Sequence, residues 1–183
     1  MKRSFIICGA IGSGKWTASR YISEQTGGSI FTLSSIPGKF LKEFDIRETR
    51  ENYAKMSWLL RSTFWEDIFS RAVEKFIENS PNAILIFDWP RKVSVIEKIM
   101  ELTKTTIIYI ETSPEKRYER IRARSEKHDE ASLTFEQFLK QEDLTTEKEL
   151  KTIRSMADIV IENTGKKEEL FEKIASSIHP YTE

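Results

Sequence analysis

The sequence predicts an α/β protein: one domain, residues 1–183, built on a five-stranded parallel sheet with helices on both faces. Three observations predict it. Five short apolar runs alternate with helical patterns along the chain, the signature of a covered parallel sheet. Residues able to do chemistry stand at the carboxyl ends of those runs, where such sheets gather ligands. The chain has 183 residues and no linker, repeat or low-complexity stretch, which suits a single core.

The elements follow in order. "SFIIC" (4–8) reads as a buried strand. After a glycine-rich turn, Lys15 to about Thr26 reads as a helix closed by Gly27 and Gly28. "SIFTL" (29–33) is a second strand, and "SSIPGKFLKEF" turns into a short helix. From Thr49 to Asn79 runs a long helical region. Tyr53, Met56, Leu60, Phe64, Ile68, Ala72 and Phe76 recur along it at steps of three or four, as one buried face requires. "AILIFD" (83–88) is a core strand ending in a carboxylate, and a helix follows it. "TTIIYIE" (105–111) is the fourth strand. "TSPE" (112–115) opens a helix, with Ser113 as cap and Pro114 in the first turn. A polar loop from Glu126 to Ser132 and two helical segments lead to "DIVIEN" (158–163), the last strand. A helix from about Lys166 to Ile178 closes the chain.

Composition narrows the classes of function. Hydrophobic residues at 39% and charged ones at 32% describe a soluble globular protein. The 29 basic and 29 acidic residues cancel, so no global field draws the chain to nucleic acid or a membrane surface. The single cysteine, Cys8, excludes an intramolecular disulfide and suits a reducing compartment; at the end of an apolar strand it reads as a small core residue. "MKRSFIIC" is too short for a signal peptide, and no run approaches the ~18 apolar residues of a membrane span. The expected location is cytoplasmic, as a monomer or homodimer. Two histidines, His128 in the polar loop and His179 near the end, and one cysteine do not support a structural zinc site.

Three stretches carry chemistry. "GAIGSGKW" (9–16) fits the phosphate-loop pattern G-x-x-x-x-G-K-[ST] up to its last letter. A strand, a tight glycine turn and a helix start aim backbone N–H groups at phosphate oxygens, and Lys15 adds a mobile charge. The last position wants a hydroxyl to ligate magnesium, and the indole of Trp16 has one N–H donor and no oxygen. Thr17 is about 100° further round the helix, suited to an α-phosphate rather than the metal. Magnesium keeps several waters and needs few protein ligands, so it can arrive with ATP at a weakened site. Were the indole buried, its removal would cost ~3–5 kcal/mol.

"FDWPRK" (87–92) is the second stretch. Asp88 can hold a magnesium-bound water or orient an acceptor, and Arg91 can grip a phosphate with its planar fork; the bland reading is a strand-terminal aspartate beside a surface arginine. The third is "SPEKRYERIRARSEKHDE" (113–130). Arg117, Arg120 and Arg124 fall within about 60° of one helix face, where they can neutralise charge developing in phosphoryl transfer. The alternative is a solvated basic face paired with Glu115, Glu119 and Glu126.

These residues, in this order, resemble the P-loop nucleoside-monophosphate kinase group, most of all its dephospho-CoA kinase-like and deoxynucleotide kinase-like members. "GAIGSGK" is similar to their loop, "DWPR" to the segment after their third strand, "SPEKRYERIRAR" to their lid-helix entry. "ADIVIENTGKKEELFEKI" (157–174) is similar to their final strand and adenine-side turn. The resemblance implies the P-loop nucleotide kinase fold, ATP with Mg2+ as phosphate donor and a small-molecule phosphate acceptor. Carried over, Gly9, Ala10, Ile11, Gly12, Ser13, Gly14, Lys15, Trp16 and Thr17 line the donor phosphates. Arg120 and Arg124 close on them, and Asn163 and Gly165 lie near the adenine. Asp88 reaches the metal through water and, with Arg91, Lys39 and Arg50, faces the acceptor. The acceptor-binding helices span about 34–79 and the lid about 117–145. Two departures stand out: Trp16 for the hydroxyl, and Trp89 for the glycine that follows the aspartate. The implied activity is an ATP-dependent phosphotransferase; the alternative is a nucleotide-binding sensor with little turnover.

Overall fold

The computed structural model describes residues 1–65, 67–88, 90, 92–124, 134–143 and 147–181. The apolar runs form β1 (Arg3–Cys8), β2 (Ser29–Thr32), β3 (Ile84–Asp88), β4 (Lys104–Glu111) and β5 (Ile159–Glu162). They pair in parallel in the order β2-β3-β1-β4-β5. β1 is therefore the central strand. Its end is level with Asp88 on one side, where Ile7 pairs with Asp88, and with Tyr109 on the other, where Cys8 pairs with Tyr109.

Side chains of a strand alternate between faces, and here each face has its own helices. Phe5, Ile7, Ile86, Ile108 and Ile110 pack against Ala18 and Ile22 of α1 (Lys15–Thr26) and Leu170, Ile174 and Ile178 of α9 (Lys167–Ile178). Ile6, Cys8, Leu85, Phe87, Ile107 and Tyr109 turn the other way. They meet Leu60 of α3 (Arg50–Phe64), Phe69, Val73 and Ile77 of α4 (Ile68–Asn79), Val95, Ile96 and Ile99 of α5 (Val93–Leu102) and Ile153 of α8 (Glu147–Ser155). The remaining helices are α2 (Ser35–Glu43), α6 (Pro114–Arg124) and α7 (Phe135–Asp143). Ile121 of α6 and Phe138 of α7 form a small core of their own with Tyr118 and Phe135.

One expectation needs correction. The helical region from Thr49 to Asn79 is two helices, because Trp65 leaves the helical conformation at φ 71° and ψ 159°. The buried face changes with the break. Leu60 is buried as expected and Phe64 is exposed, while α4 buries Phe69, Val73 and Ile77 most deeply, with Ile68 and Phe76 half-buried against the same core. The polar loop 126–132, His128 within it, Trp89 and Arg91 lie outside the described residues.

Candidate functional site

The turn after β1 is built on glycine. Gly9 has φ +141°, and a Cβ there would stand 2.3 Å from the Ile110 carbonyl oxygen of β4. No other residue fits that close an approach to a neighbouring strand. Gly14 is the N-cap of α1 at φ +102°, and no side chain caps the helix. The first-turn N–H groups of α1 thus keep the direction an anion needs. Ser13 contributes a fully buried Oγ that meets no hydrogen-bond partner among the described residues. An unpaired buried hydroxyl costs about 1–3 kcal/mol, so the loop is shaped for something other than its own stability.

Lys15 is 7% exposed, and its Nζ donates to the Ala10 carbonyl across the loop at 2.7 Å. Asp88, at the end of β3, is buried to the same degree. Its side chain lies on the α1 face, where Ser19 Oγ donates to Asp88 Oδ1 at 3.2 Å. Burial raises the Asp88 pKa; the Lys15 charge and the Ser19 hydroxyl oppose that rise. The pair sits beside Cys8, whose thiol burial pushes up to about 12, which removes it as a nucleophile. Ser19 was not singled out from the sequence, although its place one turn after Lys15 was the available signal.

Trp16 is 52% exposed on the first turn of α1. It is not a packing residue, so the cavity cost tied to a buried indole does not apply. Thr17 is half-buried next to it.

The arginines of α6 divide. Arg117 is a structural residue: it is buried, its Nε donates to the Thr112 carbonyl at 3.0 Å and Nη1 to the Ile11 carbonyl at 3.3 Å, and it lies over the Phe138 ring. Arg120 reaches the loop, with Nη1 3.4 Å from the Ser13 carbonyl oxygen and Nη2 3.2 Å from that of Asn163. Desolvation lowers its pKa, against the charge of Glu119. Arg124 is exposed at the last turn of α6, and Arg122 lies over Tyr118. Asn163 is buried behind the loop, its Nδ2 donating to the Ser13 carbonyl at 2.7 Å. Gly165 lies beside the Glu169 carboxylate, which accepts from the Lys166 N–H.

On the other side of the sheet a cavity of about 260 Å³ is lined by Arg61, Phe69, Lys92, Val93, Ser94, Val95 and Glu149. It opens where α5 begins, five residues after Asp88. Glu149 accepts from Lys92 Nζ at 2.5 Å and from the Val93 N–H at 3.3 Å, so a carboxylate already rests at that helix start. Lys39 is exposed on α2, and the backbone of Arg50 opens α3 while its side chain lies outside the described residues.

The residues present fit a polyphosphate: uncapped amides, a glycine cradle without room for Cβ, and a lysine at its mouth. For a divalent metal they offer the Asp88 carboxylate and the Ser19 hydroxyl, with no oxygen at position 16. The described residues hold no group of three or more His, Cys, Asp or Glu that could bind a metal by themselves, so the fit is to a metal carried by phosphates. No described helix is long and apolar enough to cross a membrane.

A family model described as an AAA domain matches residues 6–143. A protein of Hyperthermus butylicus named UPF0200 protein is 29% identical over 140 residues, 76% of this chain and 73% of its own. The adenylate kinase of Helicobacter hepaticus is 26% identical over 190 aligned positions, covering 99% of this chain and 97% of its own. Among solved structures, the shikimate kinase of Bacteroides thetaiotaomicron superposes with a TM-score of 0.64 at 10% identity, over 98% of this chain and 99% of that one. That likeness is one of fold.

Proposed function

The chain belongs to the AAA-domain family whose model spans residues 6–143, and from that premise we propose that it is an ATP-dependent small-molecule kinase acting on a nucleotide or nucleotide-like acceptor. One observation carries the reading: Lys15, buried at the mouth of an uncapped glycine loop, stands beside Asp88, buried at the end of the adjacent strand. The α1 amides and Lys15 hold the donor phosphates. Arg120 and Arg124 close on the charge that develops as the γ-phosphoryl group moves. An acceptor oxygen forms the new bond to phosphorus as the bond to the bridging oxygen of ADP breaks. An alcohol acceptor sheds its proton to Asp88, whose raised pKa suits it to receive one. Asp88 would hold, through water, a magnesium ion carried by ATP, which when bound would neutralise phosphate charge.

In this reading Arg91, Lys39 and Arg50 bind the acceptor together with Asp88. The small-molecule partner, the cytoplasmic location and the absence of nucleic-acid and membrane partners belong to the same proposal. A second reading, a nucleotide sensor with little turnover, draws on the exposed Trp16 in place of the metal-binding hydroxyl.

The test is a melting-temperature panel of nucleotides with and without magnesium, followed by an ADP-release screen over phosphorylated and hydroxyl acceptors. Acceptor-stimulated ADP release that Lys15→Ala abolishes supports the kinase. ATP binding without any stimulation supports the sensor. A Lys15→Ala variant that binds ATP as tightly as the parent would sink both, because a buried charged contact of this kind is worth ~2–5 kcal/mol.

A further inference from the structure

The resemblance implies a place for Asn163 near the adenine; the geometry points to a further task. We infer that Asn163 is a positioning residue for the phosphate loop, acting through the Ser13 carbonyl. The inference rests on the phosphate-site reading above and adds to it the element that shapes the loop from behind.

The Ser13 carbonyl is the most heavily engaged acceptor of the turn. Asn163 Nδ2 donates to it at 2.7 Å, Thr112 Oγ1 stands 3.2 Å away and Arg120 Nη1 3.4 Å away. These donors come from the ends of β5, β4 and from α6, which lie 150, 99 and 107 residues along the chain from Ser13. The Thr112 hydroxyl has one proton and three carbonyls in reach, those of Ser13, Asn163 and Glu111. The Arg120 contact is long. Asn163 is the short, buried and dedicated donor.

Its own position is fixed independently. The Asn163 N–H donates to the Glu111 carbonyl at 2.8 Å, continuing the β4–β5 ladder. Its own carbonyl accepts from Thr112 and Arg120, and Oδ1 lies 3.5 Å from Arg120 Nη2, which sets which end of the amide faces Ser13. The amide also touches the back of Gly14: a Cβ there would stand 2.5 Å from Nδ2. A peptide group is planar, so holding the Ser13 oxygen toward β5 turns the Gly14 N–H the opposite way, toward the loop mouth. Asn163 thereby orients the first amides that a phosphate meets, without touching a ligand.

Asn163→Asp keeps the shape and replaces the donor with an acceptor. The probes are inorganic tripolyphosphate, which sees only the loop, and ATP, which also sees the adenine side. Both should lose affinity by about tenfold or more, as for one buried hydrogen bond, and by the same factor. Measured against the parent at each pH, the defect should shrink as the pH is lowered, because the introduced carboxyl donates again once it is protonated. If the aspartate variant fails to fold, Asn163→Ala, which leaves the other donors in place, should show the same equal but smaller losses. Unchanged tripolyphosphate affinity, or a loss confined to ATP, overturns the inference, the latter returning Asn163 to the adenine. A parent that binds neither probe overturns the phosphate-site reading instead.

Discussion

Asp88 is pushed toward its neutral form by burial and drawn back by Lys15 and the Ser19 hydroxyl. Because its pKa in the folded protein is raised above the ordinary 3.8, the native state keeps this proton after the unfolded chain has lost it. The native state then binds more protons, so stability falls as the pH rises from that value through the native pKa, and levels off above it. Asp88→Asn should remove this part of the pH dependence: the variant-minus-parent difference in melting temperature grows across that window and is flat outside it. Ser19→Ala takes away an opposing influence and should carry the window's upper end to higher pH. A serine-to-alanine profile that overlies the parent would show that Ser19 does not hold the carboxylate. The same scale decides Trp16. An indole 52% exposed leaves no enclosed cavity when removed, so Trp16→Ser should cost less than the ~3–5 kcal/mol of truncating a buried aromatic. Any change in ATP binding is then chemical, and magnesium titration reads it. A serine variant with tighter magnesium-dependent binding would show that the missing oxygen limits the metal, and one with none would clear position 16 of that role.

The break between α3 and α4 shows what helical periodicity hides. Apolar residues keep their three- and four-residue steps across Trp65, and nothing in that pattern reveals that the backbone turns there. Trp65 takes φ 71° and ψ 159°, a region open mainly to glycine. Its indole is 68% exposed and lies under the Arg71 guanidinium, 5.2 Å from the ring centre. Trp65→Gly should therefore stabilise the protein by about 1 kcal/mol: relief of strain worth ~1–3 kcal/mol against an exposed cation–π contact worth ~0.5–1 kcal/mol. Chemical denaturation measures it, and a destabilised glycine variant would mean that the tryptophan's contacts outweigh its backbone. The strands were legible because parallel strands covered on both faces read as unbroken apolar runs, and all of them fall within a residue or two of expectation. The helix α1 was legible at both ends because glycines bound it. The strand order was not, since pairing is decided between segments far apart in the chain. For the same reason the sequence shows Lys15, Asp88 and the loop glycines but not the brace behind them: nothing local to Asn163 or Thr112 says that both reach Ser13.

At the scale of the whole molecule, the candidate site draws on the ends of β1, β3, β4 and β5 and on α1 and α6, so most of the sheet converges on one loop. Ser13 is bonded to Asn163 and Arg120, Asp88 to Ser19, and Lys15 to the loop itself. A ligand held by such a set should lose its site only when the sheet comes apart. Its binding energy then appears undiminished in global stability, by mass action. ATP at a hundred times its dissociation constant contributes about 2.7 kcal/mol. In a domain of this length each kcal/mol moves the midpoint by roughly 2–4 °C, so the expected rise is about 5–11 °C in one unbroken transition. The zero balance of 29 basic and 29 acidic residues adds a condition. With no global field, the salt dependence of ATP binding should reflect the local cations alone, Lys15 with Arg120 and Arg124, and Lys15→Ala should flatten it. Calorimetry with and without ATP, beside an independent binding isotherm, checks the linkage. Tight binding with no shift of the main transition would mean that the loop and lid open separately from the sheet, and that the contacts among strand ends do not join the site to the core.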